Sequence, residues 1–223
     1  MNTRRRIAGV AMVLAGLAAG GALAGLMAGA AIAADAPKPP AATTPAAGPV
    51  YREFVLGNPN SKVVVIEYAS LTCPHCAHFA QEDYPKLKKD YIDTGKIKYI
   101  YRDFPLDNLA LGAALLARCA PGNKGMGMIE KMFNEQLKWI QAEKPIEPLT
   151  AYAKETGMSD KDVEACLQNK AIVDTIRDVY STAASLYKVD ATPTFLVGED
   201  RVPGADYARL KEMIDKALAT ATK

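Results

Sequence analysis

The sequence contains little histidine and no marked excess of either charge. Its 223 residues include two histidines, His75 and His78. Any metal site can therefore use at most these two imidazoles and must take its remaining ligands from other residue types. Lysine and arginine number 27 against 25 acidic residues, a formal net charge of +2. A nearly neutral chain is poorly suited to polyanions, so nucleic acid is not an expected partner.

Cysteine is also scarce, at four residues, and none precedes Cys73. A lipid-bearing cysteine near the amino terminus is therefore excluded. Four thiols allow three pairings in an exported chain, where disulfides persist. The spacing favours Cys73 with Cys76, and Cys119 with Cys166 as a structural disulfide. The alternative for the second pair is two isolated buried thiols, since buried cysteine packs well as a small hydrophobe.

The first 34 residues have the pattern of an export signal. Three arginines, Arg4 to Arg6, precede an apolar run over residues 7–32 that ends in the small-residue site Ala31-Ile32-Ala33. The run is long enough to span a bilayer, so we expect the segment either to be cleaved or to remain as an anchor. Residues 35–50, rich in proline and alanine, are predicted to form a tether, and residues 51–223 the folded domain.

Residues 62–101 carry the pattern of a β-α-β unit. The segment KVVVIEYA at 62–69 is apolar and β-branched, as in a strand buried on both faces. Helical periodicity follows Cys76 and ends at Thr94-Gly95, and residues 96–101 alternate like a second strand. Because such crossovers are right-handed, we expect the CPHC motif of residues 73–76 at the carboxyl edge of the first strand.

The rest of the chain is predicted to be mostly helical. Helical runs are expected over residues 109–119, 126–140, 149–155, 161–168 and 171–186. The last run should present a buried stripe formed by Ile172, Ile176, Val179, Ala183 and Leu186. A strand at 194–197, a partner strand at 201–202 and a helix from about Asp206 follow. The prediction is an α/β fold in which a helical insertion of about 80 residues, 107–189, separates a β-α-β half from a β-β-α half.

The Cys73-Pro74-His75-Cys76 sequence predicts a redox-active pair of unequal cysteines. If Pro74 is the first helical residue, the sulfur of Cys73 faces the free N–H groups of the first turn and the positive end of the helix dipole. Both lower the pKa of Cys73, as would a charged or hydrogen-bonding imidazole of His75. Cys76 lies inside the turn, so we expect Cys73 to attack and Cys76 to resolve.

In four features the chain resembles the DsbA-type thioredoxin-fold oxidoreductases: the CPHC motif, Glu67 on the preceding strand, the helical insertion, and Ala191-Thr192-Pro193-Thr194. The resemblance covers residues 51–223 and implies a thioredoxin fold, with Cys73 as nucleophile and Cys76 as resolving thiol. It also implies a periplasmic location, and we expect the protein to be a monomer without a cofactor. Such a protein introduces disulfides into reduced or unfolded exported proteins and is reoxidised by a membrane partner of the DsbB kind.

The same resemblance assigns roles to three further residues. Glu67 would be a buried acid below Cys76 that relays its proton, whereas on sequence alone it could also be an outward-facing strand residue. Pro193 would be cis and face the CPHC motif, and the backbone of Thr192 would pair with an extended substrate. The best-known DsbA pattern has valine in place of Thr192, a departure that bears on oxidising strength and on the choice of membrane partner.

Three other functions are compatible with these residues. Cys73, Cys76 and His78 offer soft ligands, so a copper- or zinc-binding thioredoxin-like module is one alternative. A disulfide isomerase or reductase of the DsbC or DsbG kind is another, although such isomerases carry a dimerisation domain where this chain has only a tether. The third is a chaperone or adhesin without redox activity, and a Cys73→Ser substitution would distinguish it from an enzyme.

Overall fold

A computed structural model describes residues 50–221 of the chain. The predicted signal over residues 1–34 and the predicted tether, apart from its last residue, lie outside the described residues. Within residues 50–221, no helix combines the length and the apolar character that crossing a membrane requires.

The described residues form a mixed five-stranded sheet with the strand order β1-β3-β2-β4-β5. The strands are β1 (Phe54–Gly57), β2 (Val64–Ala69), β3 (Lys98–Asp103), β4 (Thr194–Val197) and β5 (Asp200–Pro203). Central strand β2 pairs parallel with β3 and antiparallel with β4, which confirms the predicted α/β fold. Edge strand β1 was not predicted, because four residues are too few to show a clear alternation.

Helices follow β2, fill the interval between β3 and β4, and close the chain. After β2, α1 (Pro74–His78) and α2 (Tyr84–Leu87) are extended by the π-helical turns Phe79–Asp83 and Lys88–Ile92. The insertion contains α3 (Asn108–Cys119), α4 (Lys124–Asn134), α5 (Gln136–Ile140), α6 (Ile146–Glu155), α7 (Asp160–Leu167) and α8 (Lys170–Leu186), and α9 (Tyr207–Ala221) ends the domain.

The prediction of one helix over residues 126–140 is wrong. The backbone leaves helical geometry at Glu135, with φ −110° and ψ 21°, and the helix divides into α4 and α5. Neither proline nor glycine marks the break in the sequence. Tertiary contacts of the next residue, Gln136, with the β2–α1 loop accompany the break, and these contacts are invisible to a local periodicity argument.

The sheet is covered on both faces. Val65 of β2 belongs to the large core beneath α1, α2 and α9, whereas Tyr68 points to a smaller cluster beneath α8. On α8, Ile172, Ile176 and Ala183 are fully buried as predicted.

Leu186, by contrast, is 71% exposed, so its predicted place in the buried stripe of α8 is wrong. The helix ends there, because the N–H groups of Tyr187 and Val189 both donate to the carbonyl of Ala183. Lys188 adopts a positive φ of 55° in this turn. The turn returns Val189 to the core beside Ala183, whereas Leu186, the last helical residue, faces solvent.

Two covalent or ionic links tie α3 to the rest of the domain. A disulfide joins Cys119, at the end of α3, to Cys166 of α7, with their Cα atoms 6.0 Å apart. One residue earlier, the Arg118 guanidinium meets the Asp103 carboxylate at 2.7 Å, and both side chains are buried. Because Asp103 ends β3, this ion pair anchors the insertion to the sheet.

Candidate active site

The CPHC motif lies where central strand β2 gives way to α1. Cys73 is the N-cap of α1, with extended backbone angles, and Pro74 occupies the first helical turn. The N–H of Cys73 donates to the carbonyl of Ser70 at 3.1 Å, and the N–H of Ala77 donates to the carbonyl of Cys73 at 3.1 Å. The loop therefore turns directly into the helix and places the Cys73 sulfur at its amino terminus.

Cys73 is a free thiol, only 5% exposed, whose surroundings favour its ionised form. A hydrogen bond from the Cys76 thiol is the largest effect that lowers the pKa of Cys73, to about 5. Burial of the sulfur opposes the shift, and the backbone N–H groups of Cys76 and His75 add to it. A thiol with this pKa is ionised at neutral pH and can attack a disulfide.

Cys76, three residues later, has the opposite character. Its side chain is completely buried, and burial raises the pKa of Cys76 far above its usual range. The hydrogen bond to Cys73 and the negative charges of Cys73 and Glu67 raise this pKa further. Cys76 therefore holds its proton under conditions in which Cys73 has lost its own.

Glu67 lies on β2, on the face that packs beneath α1, and is 3% exposed. The alternative of an outward-facing strand residue is therefore wrong. The hydroxyl of Tyr99, on the adjacent strand β3, donates to its carboxylate. Burial raises the pKa of Glu67 to about 7, although the Tyr99 hydrogen bond opposes the shift. A carboxyl group with this pKa can both accept and return a proton near neutral pH.

The segment before β4 approaches the motif from the other side. The Thr192-Pro193 peptide bond is cis. The carbonyl oxygen of Thr192 lies 3.3 Å from the Cys73 sulfur, close enough to accept a hydrogen bond from the thiol. The carbonyl of Pro193 accepts from the N–H of Gly204, which ties this segment to the end of β5.

The imidazole of His75 does not take part in this network. Its side chain is exposed, and within residues 50–221 it makes no hydrogen bond. The backbone N–H of His75, rather than its side chain, helps to lower the pKa of Cys73.

Gln136 is a residue near the motif that sequence reasoning missed. Its buried side-chain amide donates to the carbonyl of Leu71 at 2.8 Å and to the carbonyl of Cys73 at 3.0 Å. A second tie joins the same loop to α3, because the hydroxyl of Thr72 donates to Asp107 at 2.6 Å. Neither contact leaves a local signal in the sequence, since each partner lies more than 30 residues away.

The part of the chain that the structure describes contains no cluster of side chains suited to bind a metal ion. Within residues 50–221, no three or more His, Cys, Asp or Glu side chains are grouped to hold a metal ion. Cys73, Cys76 and His78 therefore do not form such a group.

Comparison with known proteins places the chain in one family. The family model described as Thioredoxin matches residues 50–216. A Rickettsia typhi protein named as a protein-disulfide oxidoreductase is 36% identical over 172 residues, which cover 77% of this chain and 64% of that protein. Disulfide bond formation protein D of Bacillus subtilis is 26% identical over 185 residues, covering 74% of this chain and 76% of that protein.

A solved structure extends this likeness to three dimensions. The crystal structure of Wolbachia pipientis alpha-DsbA1 superposes with a TM-score of 0.70 and is 31% identical, covering 79% of this chain and 96% of that one. The chain spans less than two thirds of the length of the Rickettsia relatives, at 64% of the first. From the family model, the mixed five-stranded sheet and the placement of the CPHC motif, we conclude that the chain belongs to the thioredoxin family and is a DsbA-like protein.

Proposed function

We propose that this chain is a protein thiol:disulfide oxidoreductase that introduces disulfides into exported proteins by exchange through Cys73 and Cys76. The observation that carries the proposal is the opposite shift of two pKa values within one helical turn. The pKa of Cys73 is lowered to about 5, and that of Cys76 is raised by burial. Cys73 is thus both the better nucleophile and the better leaving group, which favours transfer of a disulfide to a substrate.

The proposed reaction begins with the enzyme's Cys73–Cys76 disulfide. A substrate thiolate attacks the Cys73 sulfur, a mixed disulfide forms, and Cys76 leaves with the electron pair. Because the pKa of Cys76 is raised, the departing sulfur takes a proton, which we assign to Glu67. A second substrate thiolate then attacks the substrate sulfur of the mixed disulfide. The substrate gains its disulfide, and Cys73 leaves as a stabilised thiolate.

We assign substrate positioning to the Thr192-Pro193 segment. The Thr192 carbonyl lies 3.3 Å from the attacking sulfur, so an extended peptide bound here would present its own sulfur to Cys73. Pro193 lacks an N–H, which leaves this part of the backbone unable to donate a competing hydrogen bond. For His75, we assign its backbone N–H to stabilisation of the Cys73 thiolate.

We further propose that the protein acts as a monomer in the periplasm, exported by residues 1–34. Its substrates would be reduced or unfolded exported proteins, and a membrane protein of the DsbB kind would return it to the disulfide form. The names of the Rickettsia and Bacillus relatives, which refer to disulfide chemistry, support this assignment.

The redox equilibrium of the Cys73–Cys76 pair against glutathione tests the direction of transfer. We expect a potential well above the value of about −270 mV that is typical of thioredoxin. A potential near that value would instead indicate a reductase. Zinc or copper binding by the reduced protein, without thiol exchange, would indicate a metal-binding module.

Single cysteine variants test the assigned roles. Cys73→Ser should abolish exchange. In Cys76→Ser, the Cys73 thiolate should attack oxidised glutathione, release one glutathione thiolate and accumulate as a mixed disulfide that mass spectrometry detects. A Cys119→Ala, Cys166→Ala double variant provides the matched control and should retain exchange. Equal activity of Cys73→Ser and the parent protein would contradict the proposal.

A further inference from the structure

A polar groove lies beside the CPHC motif, between α1 and the break that separates α4 from α5. Its volume is about 410 Å³, and it shares no lining residue with the Thr192-Pro193 segment. Residues from the end of α4 and the start of α5 both line it, so the break gives the groove one of its walls. We call it the insertion groove, and its lining is formed by Pro74, Ala77, His78 and Gln81 on one side and by residues 134–138 on the other.

Gln136 presents an acceptor oxygen to the insertion groove. The residue is 5% exposed, and its amide nitrogen donates to the carbonyls of Leu71 and Cys73. Only the NH₂ end of an amide can bond two carbonyls, so the orientation of this side chain is fixed. The amide oxygen accepts no hydrogen bond from residues 50–221 and is not fully buried. It therefore faces the groove that Gln136 lines.

Two more oxygens in the insertion groove are held in a similar way. The amide nitrogen of Gln81 donates to the carbonyl of Phe133 at 2.8 Å, which turns its oxygen away from that contact. Glu135 accepts from the Tyr152 hydroxyl at 2.9 Å through Oε2, whereas its Oε1 has no partner among the described residues. The Tyr152 hydrogen bond lowers the pKa of Glu135, so this carboxylate is charged at neutral pH. The groove thus offers three acceptor oxygens, one of them on a carboxylate.

The cations near Glu135 leave its charge accessible. Lys138 lies 3.4 Å from the carboxylate, but its side chain is 72% exposed, and such a pair is weak and screened by solvent. Lys131 is held instead by Glu155 at 2.6 Å. His78 lines the groove from α1 and is exposed. A cation that enters the groove can therefore take the place of Lys138 beside Glu135.

We propose that the insertion groove binds a lysine or arginine side chain of the substrate, close to the cysteine that reacts with Cys73. The inference rests on the proposed function and names a preferred class of substrate, exported proteins whose cysteines have basic neighbours. Lysine and arginine side chains carry several donors and no acceptor, which matches a groove of acceptor oxygens. Pro74 lines the groove and directly follows Cys73. A residue one or two positions from the bonded substrate cysteine can therefore reach it, since an extended chain spans about 3.5 Å per residue.

The two sides of the motif would then bind different parts of a substrate. The Thr192-Pro193 segment lies against the Cys73 sulfur and is suited to the backbone of an extended peptide, whatever its sequence. The insertion groove would add a preference among sequences. Complementary charge contributes to specificity and to the rate of association more than to affinity, so the preference should appear in rates.

Reduced peptides with two cysteines test the inference. In three peptides of otherwise identical sequence, each cysteine is flanked on both sides by arginine, by glutamine or by glutamate. The disulfide form of the protein is mixed with each peptide, and acid quenching with mass spectrometry gives the second-order rate of peptide oxidation. Flanking charge also alters the peptide thiols themselves. The ratio of the arginine-peptide rate to the glutamine-peptide rate is therefore compared between protein variants, where that intrinsic effect cancels.

We expect two neighbouring substitutions to move this ratio in opposite directions. Glu135→Gln should lower it on the order of threefold to fivefold, the effect of a partly exposed ion pair. Lys138→Gln removes the competing cation and should raise it. Glu135→Lys should shift the preference towards the glutamate peptide. A general loss of structure would lower the rates for all three peptides together, and so is distinguished.

Glu82→Gln is the matched control. Glu82 is exposed and directly follows Gln81, but it does not line the groove. Its substitution removes the same charge near the motif and should leave the ratio unchanged. An equal fall in Glu82→Gln and Glu135→Gln would indicate a general attraction of cations and would overturn the inference. A ratio that neither Glu135→Gln nor Lys138→Gln changes would also overturn it. If the parent protein oxidises none of the three peptides, the proposed function fails instead.

Discussion

At the scale of single residues, two thiols of one motif differ because of where their sulfurs sit. Cys73 caps α1, where the Cys76 thiol and the backbone N–H groups of the first turn lower its pKa, whereas Cys76 is enclosed by the core. Although the two side chains are identical and lie three residues apart, Cys73 is held as a thiolate and Cys76 keeps its proton. Glu67 adds a third titrating group whose pKa, about 7, lies between those of the two cysteines.

The buried position of Glu67 predicts a specific dependence of stability on pH. Because its pKa is raised from 4.5 to about 7, the folded protein binds this proton more tightly than the unfolded chain. The contribution to stability is complete below the unfolded pKa and is lost as the pH rises through the folded one. Over that interval, the free energy of unfolding should fall by up to about 3 kcal/mol.

Urea unfolding at a series of pH values measures this effect. It is best done in a Cys73→Ser background, because the lowered pKa of Cys73 gives a slope of opposite sign. Glu67→Gln should remove the fall between pH 5 and 8, and Glu82→Gln, at an exposed position, should not. If the Glu67→Gln and parent curves run parallel, Glu67 does not titrate in this range.

At the scale of elements, polar contacts join the insertion to the rest of the domain, and they are buried to different degrees. Gln136 of α5 holds the loop that carries Cys73, and Arg118 of α3 holds the end of β3. Gln81, after α1, donates to the carbonyl of Phe133 at 2.8 Å from a more exposed position. The cost of removing each contact should therefore follow its burial.

Gln136→Met keeps the length of the side chain and removes both donors. The buried carbonyl of Leu71 then loses its partner, which should cost about 1–3 kcal/mol of stability. Because the carbonyl of Cys73 is also released, we expect a change in the Cys73 pKa, read from thiolate absorbance. Gln81→Met is the control, with an expected loss of about 1 kcal/mol or less and no pKa change. Equal losses in the two variants would contradict a special role for Gln136.

Arg118→Leu should be among the most destabilising substitutions in the domain. The guanidinium bonds Asp103 and the carbonyl of Tyr101 and lies 3.9 Å from the ring of Phe54. Without the guanidinium, the buried Asp103 carboxylate loses its charged partner, which should lower the free energy of unfolding by about 3–5 kcal/mol.

The control for Arg118 is Arg102→Leu. Arg102 pairs with Glu53 near the surface, where an ion pair contributes about 1 kcal/mol or less. Denaturant titration compares the two variants. A loss at Arg118 no larger than that at Arg102 would show that Asp103 finds another partner.

At the scale of the whole molecule, residues far apart in the chain converge on one end of the sheet. The CPHC motif follows β2, the cis peptide bond precedes β4, and the insertion supplies Gln136 beside the motif. The insertion is itself closed by the Cys119–Cys166 disulfide, which spans 47 positions of sequence. Stability and redox chemistry are therefore assigned to different cysteine pairs.

Removal of the Cys119–Cys166 disulfide tests this separation. A Cys119→Ala, Cys166→Ala double variant should lose roughly 4 kcal/mol, the value that chain entropy predicts for a closed loop of this length. Thermal unfolding measures the loss, and a titration of Cys73 serves as the internal control. The pKa of Cys73 should stay near 5, since no atom of this disulfide contacts the motif among the described contacts. A shifted Cys73 pKa would show that the two pairs are coupled.

The sequence by itself determined the elements whose signals are local. The β-branched run before the motif, the helical periodicities and the Pro74 helix start depend on near neighbours, and the structure contains β2, β3 and a helix that begins at Pro74. The likeness of the motifs at residues 73–76 and 191–194 to those of a known family was also readable, because each motif is contiguous.

Only the tertiary structure decided what depends on long-range packing. The burial of Glu67, the break between α4 and α5, and the contact of Gln136 with the Cys73 loop all arise from residues brought together across the fold. The same holds for the insertion groove, which residues of α1 and residues 134–138 line together. A strand pattern predicts that successive side chains point to opposite faces of the sheet. Only the packed sheet shows which of the two faces is excluded from water. That difference in solvent exposure is what turns an ordinary glutamate into a group that can hold a proton near neutral pH.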